Sequence, residues 1–163
     1  MIESMIQYET DEGFMRQALA LAEQAFATGE VPVGAVLVKD GRVLCGAYNL
    51  RETHRSVTAH AELLAIEEAC RLLGDWRLSG CTLYVTLEPC PMCAGAIVNG
   101  RIDRVVYGIK DPAAGCCGSV LNLNAYPFSH AFSLSGGVCE KECGALLRRF
   151  FAEQRSKRKR TDK

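Results

Sequence analysis

A chain of 163 residues that is 48% apolar and 23% charged has the size and balance of one soluble globular domain with a sizeable core. It has no apolar run of membrane-spanning length and no basic region followed by an apolar stretch at its start, so neither a membrane anchor nor a signal peptide is expected. The formal charge is zero but uneven: residues 155–163 carry six basic groups and one acid, which leaves 13 basic and 18 acidic groups in residues 1–154. A basic end on a mildly acidic body suits a polyanionic partner; the plainer reading is a solvated tail.

In chain order, Asp11 opens an amphipathic helix with Phe14, Ala18, Leu21 and Ala25 on one face, ended by Gly29. Gly34–Lys39 and Arg42–Tyr48 read as strands joined by Asp40-Gly41, a strong two-residue hairpin signal. A polar connection over residues 49–58 leads to helical periodicity from about 60 to 73, stopped by Gly74. Cys81–Leu87 is a strand, and Pro91 starts a short helix where its missing N–H does no harm. That helix ends at Asn99-Gly100. A strand over 103–107 follows, then a long loop over 109–125, a short strand near 131–134 and a closing helix from about 140 to 154. This order predicts a single α/β domain, residues 1–154, with a mixed sheet packed between helices and a basic C-terminal tail over 155–163.

Nine cysteines could suggest a disulfide scaffold, but the chain is long and well patterned and the count is odd, so free or metal-bound thiols in a reducing compartment are expected. Cys45, Cys70 and Cys81 lie in apolar segments and read as small core hydrophobes. Cys139 and Cys143 have helical spacing that could serve a second metal, although no third ligand candidate lies near them in sequence.

Chemistry concentrates in Thr58-Ala59-His60-Ala61-Glu62 and Glu88-Pro89-Cys90-Pro91-Met92-Cys93. One His and two Cys supply three ligands to a zinc ion and leave the fourth tetrahedral position for water, as in a catalytic site. Two sulfurs on one zinc lie roughly 3.8 Å apart, which the Cys-x-x-Cys spacing at a helix start allows. The helix N-terminus also favours thiolate over thiol. Glu62 stands beside the metal without being needed as a ligand and is free to shuttle protons. Singly, each residue has a plain explanation: a cap for His60, a solvated helix face for Glu62, core or structural zinc for the cysteines. Jointly, His-x-Glu followed by Pro-Cys-x-x-Cys is the signature of the zinc nucleobase deaminases.

Over about residues 14–151 the chain resembles the bacterial tRNA-specific adenosine deaminases of the cytidine deaminase-like superfamily. The motifs that carry the resemblance are Gly29-Glu30-Val31-Pro32-Val33-Gly34-Ala35, Asn49, His-Ala-Glu at 60–62, the run from Thr86 to Ala96, Asp111-Pro112, Gly118-Ser119, His130 and Glu142-Cys143. The resemblance implies a three-layer α/β/α fold with a central mixed five-stranded sheet and a cytoplasmic homodimer with one catalytic zinc per subunit. It also implies conversion of the wobble adenosine in a tRNA anticodon stem-loop to inosine. By position it makes His60, Cys90 and Cys93 the zinc ligands and Glu62 the proton shuttle. It puts Asn49 against the base, Val31 on an apolar wall, and Asp111 and His130 near the RNA or dimer rim. Loop capping by Asn49 and Asp111 and core packing by Val31 are the alternatives. The chain departs from the pattern at Tyr48, Ser56-Val57, Ala113, Ser129 and Ala131, all rim positions. A deaminase of a free base, a non-catalytic RNA-binding zinc protein and a disulfide-stapled secreted protein remain as rival readings.

Overall fold

The computed structural model describes residues 10–161. Its centre is a five-stranded sheet in the order β2-β1-β3-β4-β5, formed by β1 (Gly34–Lys39), β2 (Arg42–Tyr48), β3 (Cys81–Leu87), β4 (Arg104–Ile109) and β5 (Ser133–Gly136). β1 runs antiparallel to both β2 and β3, while β3, β4 and β5 are mutually parallel, so the sheet is mixed as expected. The β1–β2 hairpin turns on Asp40 and Gly41, at φ 51° and 71°, the pair of positive angles that a tight two-residue turn demands.

Alternation along the strands sorts the helices into two layers. Ala35, Leu37, Leu83, Val85, Val105 and Tyr107 pack with Ala61, Ala65, Ile66 and Ala69 of α3 (Ala61–Leu73) and with Ile97 and Val98 of α4 (Pro91–Asn99). Here α2 denotes the short helix Arg51–His54. The intervening residues Val36, Val38, Tyr84 and Val106 point the other way. They meet Phe14, Met15 and Ala18 of α1 (Asp11–Ala27) and Cys143 of α5 (Glu140–Thr161). The result is the three-layer α/β/α arrangement. On the α1 side, Arg104 makes two bonds to Asp11, at 2.7 and 2.8 Å, and Tyr84 donates a third at 2.7 Å, tying the first turn of α1 to β3 and β4.

Five elements differ from the expectation. α2 interrupts the supposed polar connection over 49–58, and a 3-10 turn, Leu123–Ala125, lies within the long loop. β4 and β5 sit one to two residues later than expected. The largest difference is α5, which continues through residue 154 to Thr161. Arg and Lys are good helix formers and no Gly or Pro lies between 145 and 161, so nothing stops the helix there. The expected division at 154/155 therefore falls inside α5; Asp162 and Lys163 lie outside the described residues. Among the described residues no helix is long and apolar enough to cross a membrane.

Candidate active site

Two helix N-termini meet at the edge of the sheet where β1 begins and β2, β3 and β4 end. His60 is the N-cap of α3, extended at φ −78° and ψ 149°, and Glu62 lies in the first turn of that helix. Cys90 is the N-cap of α4, with Pro91 at the first helical position and Cys93 buried in the first turn. β3 delivers Cys90 three residues after its last strand residue, so strand, cap and helix together fix the pair. The Nδ1 atom of His60 lies 3.6 Å from the sulfur of Cys90 and 3.6 Å from that of Cys93. Bonds of about 2.0–2.1 Å to nitrogen and 2.3 Å to sulfur at a tetrahedral angle separate the two atoms by about 3.6 Å, so both nitrogen–sulfur distances match those across a shared zinc. Among the described residues these three side chains are the one group of His, Cys, Asp or Glu gathered closely enough to hold a metal. Cys139 and Cys143 gather no further ligand, and all nine cysteines are free of disulfides.

Over the cluster opens a cavity of about 220 Å³, smaller than the roughly 300–1,000 Å³ of sites for drug-sized ligands and suited to one flat base. It is lined by His60, Glu62 and Cys90 of the cluster, by the apolar side chains of Val31, Val33 and Leu87, and by Asn49, Arg51, Asp111 and Ala114.

The family profile of the cytidine and deoxycytidylate deaminase zinc-binding region matches residues 8–109. The tRNA-specific adenosine deaminase of Bacillus subtilis is 53% identical over 150 residues, 91% of this chain and 93% of that protein. A solved structure of a tRNA:A34 deaminase, from work on A-to-I editing at the wobble position, superposes with a TM-score of 0.80 at 46% identity. That match covers 82% of this chain and 98% of the other. The chain belongs to the tRNA-specific adenosine deaminase family. A guanine deaminase structure from Bacillus subtilis is also similar, at 42% identity and a TM-score of 0.59, but over only 62% of this chain and 65% of that one.

In this deaminase Glu62 is 4% exposed, and burial pushes its carboxyl up to about 7, with the charge of Cys90 adding to the effect. Cys90 is held well below the usual thiol range by its hydrogen bonds from Cys93 and His60, while Cys93 is pushed up by the bond it gives to Cys90. The two sulfurs thus form a shared thiolate poised for a cation, at a helix end whose dipole favours negative charge.

The remaining expected site residues divide. Val31, Asn49 and Asp111 all line the cavity. Asn49 is also a loop clamp: its amide donates to the Val31 carbonyl at 3.2 Å, and its oxygen accepts from the Arg51 N–H at 3.2 Å. Asp111 likewise accepts from the N–H groups of Ala113 and Ala114, at 3.0 and 3.2 Å. The loop-capping alternative is therefore realised together with the pocket position. His130 does not join them. Its ring bonds the Ile102 carbonyl at 2.7 Å, just beyond the C-terminal end of α4, whereas the cavity sits at the N-terminal end. Of the departing rim residues, Val57 is 78% exposed, a bare apolar side chain in the loop leading to His60.

Two buried carboxylates were missed as functional elements. Glu30 is 1% exposed and accepts the N–H groups of Glu52 and Thr53, at 3.2 and 2.6 Å, thereby capping α2 from outside and holding Arg51 at the mouth. Glu88 plays the same part on the opposite rim. Burial opposes its charge, but the Ser119 hydroxyl and the N–H groups of Asp111, Ser119 and Cys117 outweigh it and hold the carboxyl below the usual range. The signal available in the sequence was a lone Glu inside each of two otherwise apolar or turn-forming runs.

Proposed function

We propose that this chain is a zinc-dependent tRNA adenosine deaminase that hydrolyses the wobble adenosine of an anticodon loop to inosine and releases ammonia. The observation that carries the reading is the His60–Cys90–Cys93 cluster, spaced for zinc, beside buried Glu62 at the bottom of a base-sized cavity. One zinc per subunit would be held by His60 Nδ1 and the two cysteine sulfurs. When bound, zinc acidifies water from a pKa of 15.7 to about 7 and so supplies the nucleophile at neutral pH.

The work of the chain's own groups follows from their positions. A base splayed out of a single-stranded loop enters between Val31, Val33 and Leu87 without any duplex having to open. The Glu62 carboxylate takes a proton from the attacking water and gives it to ring nitrogen N1 as C6 is attacked. A second transfer protonates the exocyclic amine, the C6–N bond breaks, and ammonia leaves behind the C6 carbonyl of inosine. Asn49, fixed from both sides, holds the base edge, and Asp111 borders the mouth. His130 is assigned to the RNA or dimer rim, away from its own chain's cavity.

RNA contact extends onto the basic end of α5. Arg155 and Arg158 line a groove with Phe150 and Phe151, and that groove shares Val31 and Arg51 with the base cavity. The functional unit is one deaminase domain, residues 1–154, continued by this basic helix end. It acts as a homodimer in the cytoplasm, where tRNA is found; exposed Val120, Leu121, Tyr126 and Phe128 support an apolar contact surface on one loop.

The test is incubation with an anticodon stem-loop carrying a wobble adenosine, with free adenosine, cytosine and guanine in parallel and Glu62→Ala as the control. Inosine in the stem-loop alone, absent from the control, is the expected result. Deamination of a free base alone would favour the second reading, a small-substrate deaminase, which the resemblance to a guanine deaminase supports.

A further inference from the structure

Glu88 directly follows β3, stands two residues before the ligand Cys90, and is 1% exposed. One carboxylate oxygen accepts the N–H groups of Cys117 and Ser119, both at 3.0 Å. The other accepts the Asp111 N–H at 2.9 Å and the Ser119 hydroxyl. Four donors drawn from residues 111–119 thus converge on one carboxylate. The loop wraps around it closely: a Cβ on Gly115 would collide with the Glu88 carboxyl carbon and with one of its oxygens. Backbone bonds complete the wrap, from Glu88 N–H to the Ile109 carbonyl at 2.9 Å and from Cys116 N–H to the Pro89 carbonyl at 2.8 Å. The same loop supplies Asp111 and Ala114 to the lining of the cavity.

We infer that Glu88 is a positioning residue for substrate binding: its carboxylate gathers the 111–119 loop and holds the Asp111 wall of the mouth in register with the Cys90 strand. Its oxygens are fully engaged by the protein, so it acts through the loop and not on the base. The inference rests on the tRNA reading given above, and it separates two roles for this stretch of chain. Cys90 and Cys93 hold the metal, while Glu88, in the same run, sets how well the RNA loop is received.

The distinguishing perturbation is Glu88→Gln, equal in size but with one oxygen replaced by an NH2 donor. If that NH2 faces Cys117 and Ser119, two N–H groups are left without an acceptor. If it faces the other pair, the Ser119 hydroxyl can reverse its role, but the Asp111 N–H is still orphaned. A second variant, Gly115→Ala, leaves the carboxylate intact and displaces the loop by collision. Wild-type turnover of the stem-loop is measured first; if there is none, the tRNA reading fails and this inference falls with it. Given turnover, both variants are expected to raise KM for the stem-loop about tenfold, corresponding to about 1.4 kcal/mol. Their kcat is expected to stay within about threefold and zinc per chain to stay unchanged. Three outcomes overturn the inference while leaving the tRNA reading intact. The first is an unchanged KM in folded variants. The second is a fall in kcat with loss of zinc at constant KM, which would make Glu88 a support of the metal strand. The third is failure of both variants to fold, which would make it a pillar of the fold alone.

Discussion

Replacing Arg155 and Arg158 with Gln tests whether the end of α5 belongs to the RNA interface. Gln has nearly the helix propensity of Arg, and both positions are exposed, so α5 and the thermal melt should be preserved. The two guanidinium groups border the groove that shares Val31 and Arg51 with the base cavity, within reach of nucleotides flanking an inserted base. If each neutralises one phosphate of a single-stranded loop, each contributes about 0.7 to the slope of log affinity against log salt. Losing both flattens the slope by about 1.4. By the same relation the variant should bind roughly sixtyfold more weakly at 50 mM salt but only about tenfold more weakly at 200 mM, converging with the parent near 1 M. The assay is fluorescence anisotropy of a labelled anticodon stem-loop, in a Glu62→Ala background so that substrate is not consumed. Parallel salt slopes for the two proteins would refute the reasoning, because the segment would then be a solvated helix end with no phosphate against it.

Glu62→Gln should cut kcat by about 10²- to 10⁴-fold, the usual worth of a positioned acid–base group, with zinc content unchanged by elemental analysis. Loss of the metal instead would mean that Glu62 supports the ligands. Gly34→Ala should cost about 3 kcal/mol or more by urea denaturation, because its Cβ would strike the Ala18 carbonyl and come within 2.6 Å of the Ala22 nitrogen, both in the backbone of α1. A cost below about 1 kcal/mol would show that α1 is not seated on β1 as described. Asp11→Asn should lower stability at neutral pH by about 1–2 kcal/mol, a figure discounted because the Arg104–Asp11 pair is about one-third exposed. Hydrogen bonding from Arg104 holds the Asp11 carboxyl below its ordinary 3.8. Its contribution is therefore present above that value and is lost as pH falls through the lower, folded-state pKa. Melting curves of parent and variant should converge in that acid range; a gap that persists there would assign the effect to packing.

What could be read in advance was local. His60 and Glu62 are two apart, Cys90 and Cys93 three apart, and each pair sits where a helix begins, so residue type and spacing alone carry the chemistry of the cluster. The sheet was equally legible, because the nearly continuous apolar runs of β1, β3 and β4 suit strands buried on both faces and Asp40-Gly41 marks the hairpin. The end of α5 was not. A helix stop is read from Gly, Pro or a lost apolar stripe, and the basic run over 155–161 loses the stripe without supplying a breaker. His130, expected at the RNA or dimer rim, lies beyond the C-terminal end of α4 and away from its own chain's cavity, across a loop whose path no local pattern records.

Glu30 and Glu88 show where such reading stops, and why. A buried carboxylate usually betrays itself through a cation at a fixed helical or cross-strand spacing. These two are met by peptide N–H groups, 22 and 23 residues away for Glu30 and 23 to 31 away for Glu88, and every non-proline residue carries such a donor. Apart from the Ser119 hydroxyl on Glu88, no particular residue type is required at the partner positions, so little in their composition announces the contact. The requirement surfaces only indirectly, in a glycine such as Gly115 that must lack a side chain for the loop to close around the charge. The groups that perform the chemistry are specified by what they are, and those that shape the mouth of the cavity are specified by what the backbone brings to them. On the role proposed for Glu88, Glu88→Gln and Gly115→Ala are expected to converge on one phenotype from opposite sides of the same contact.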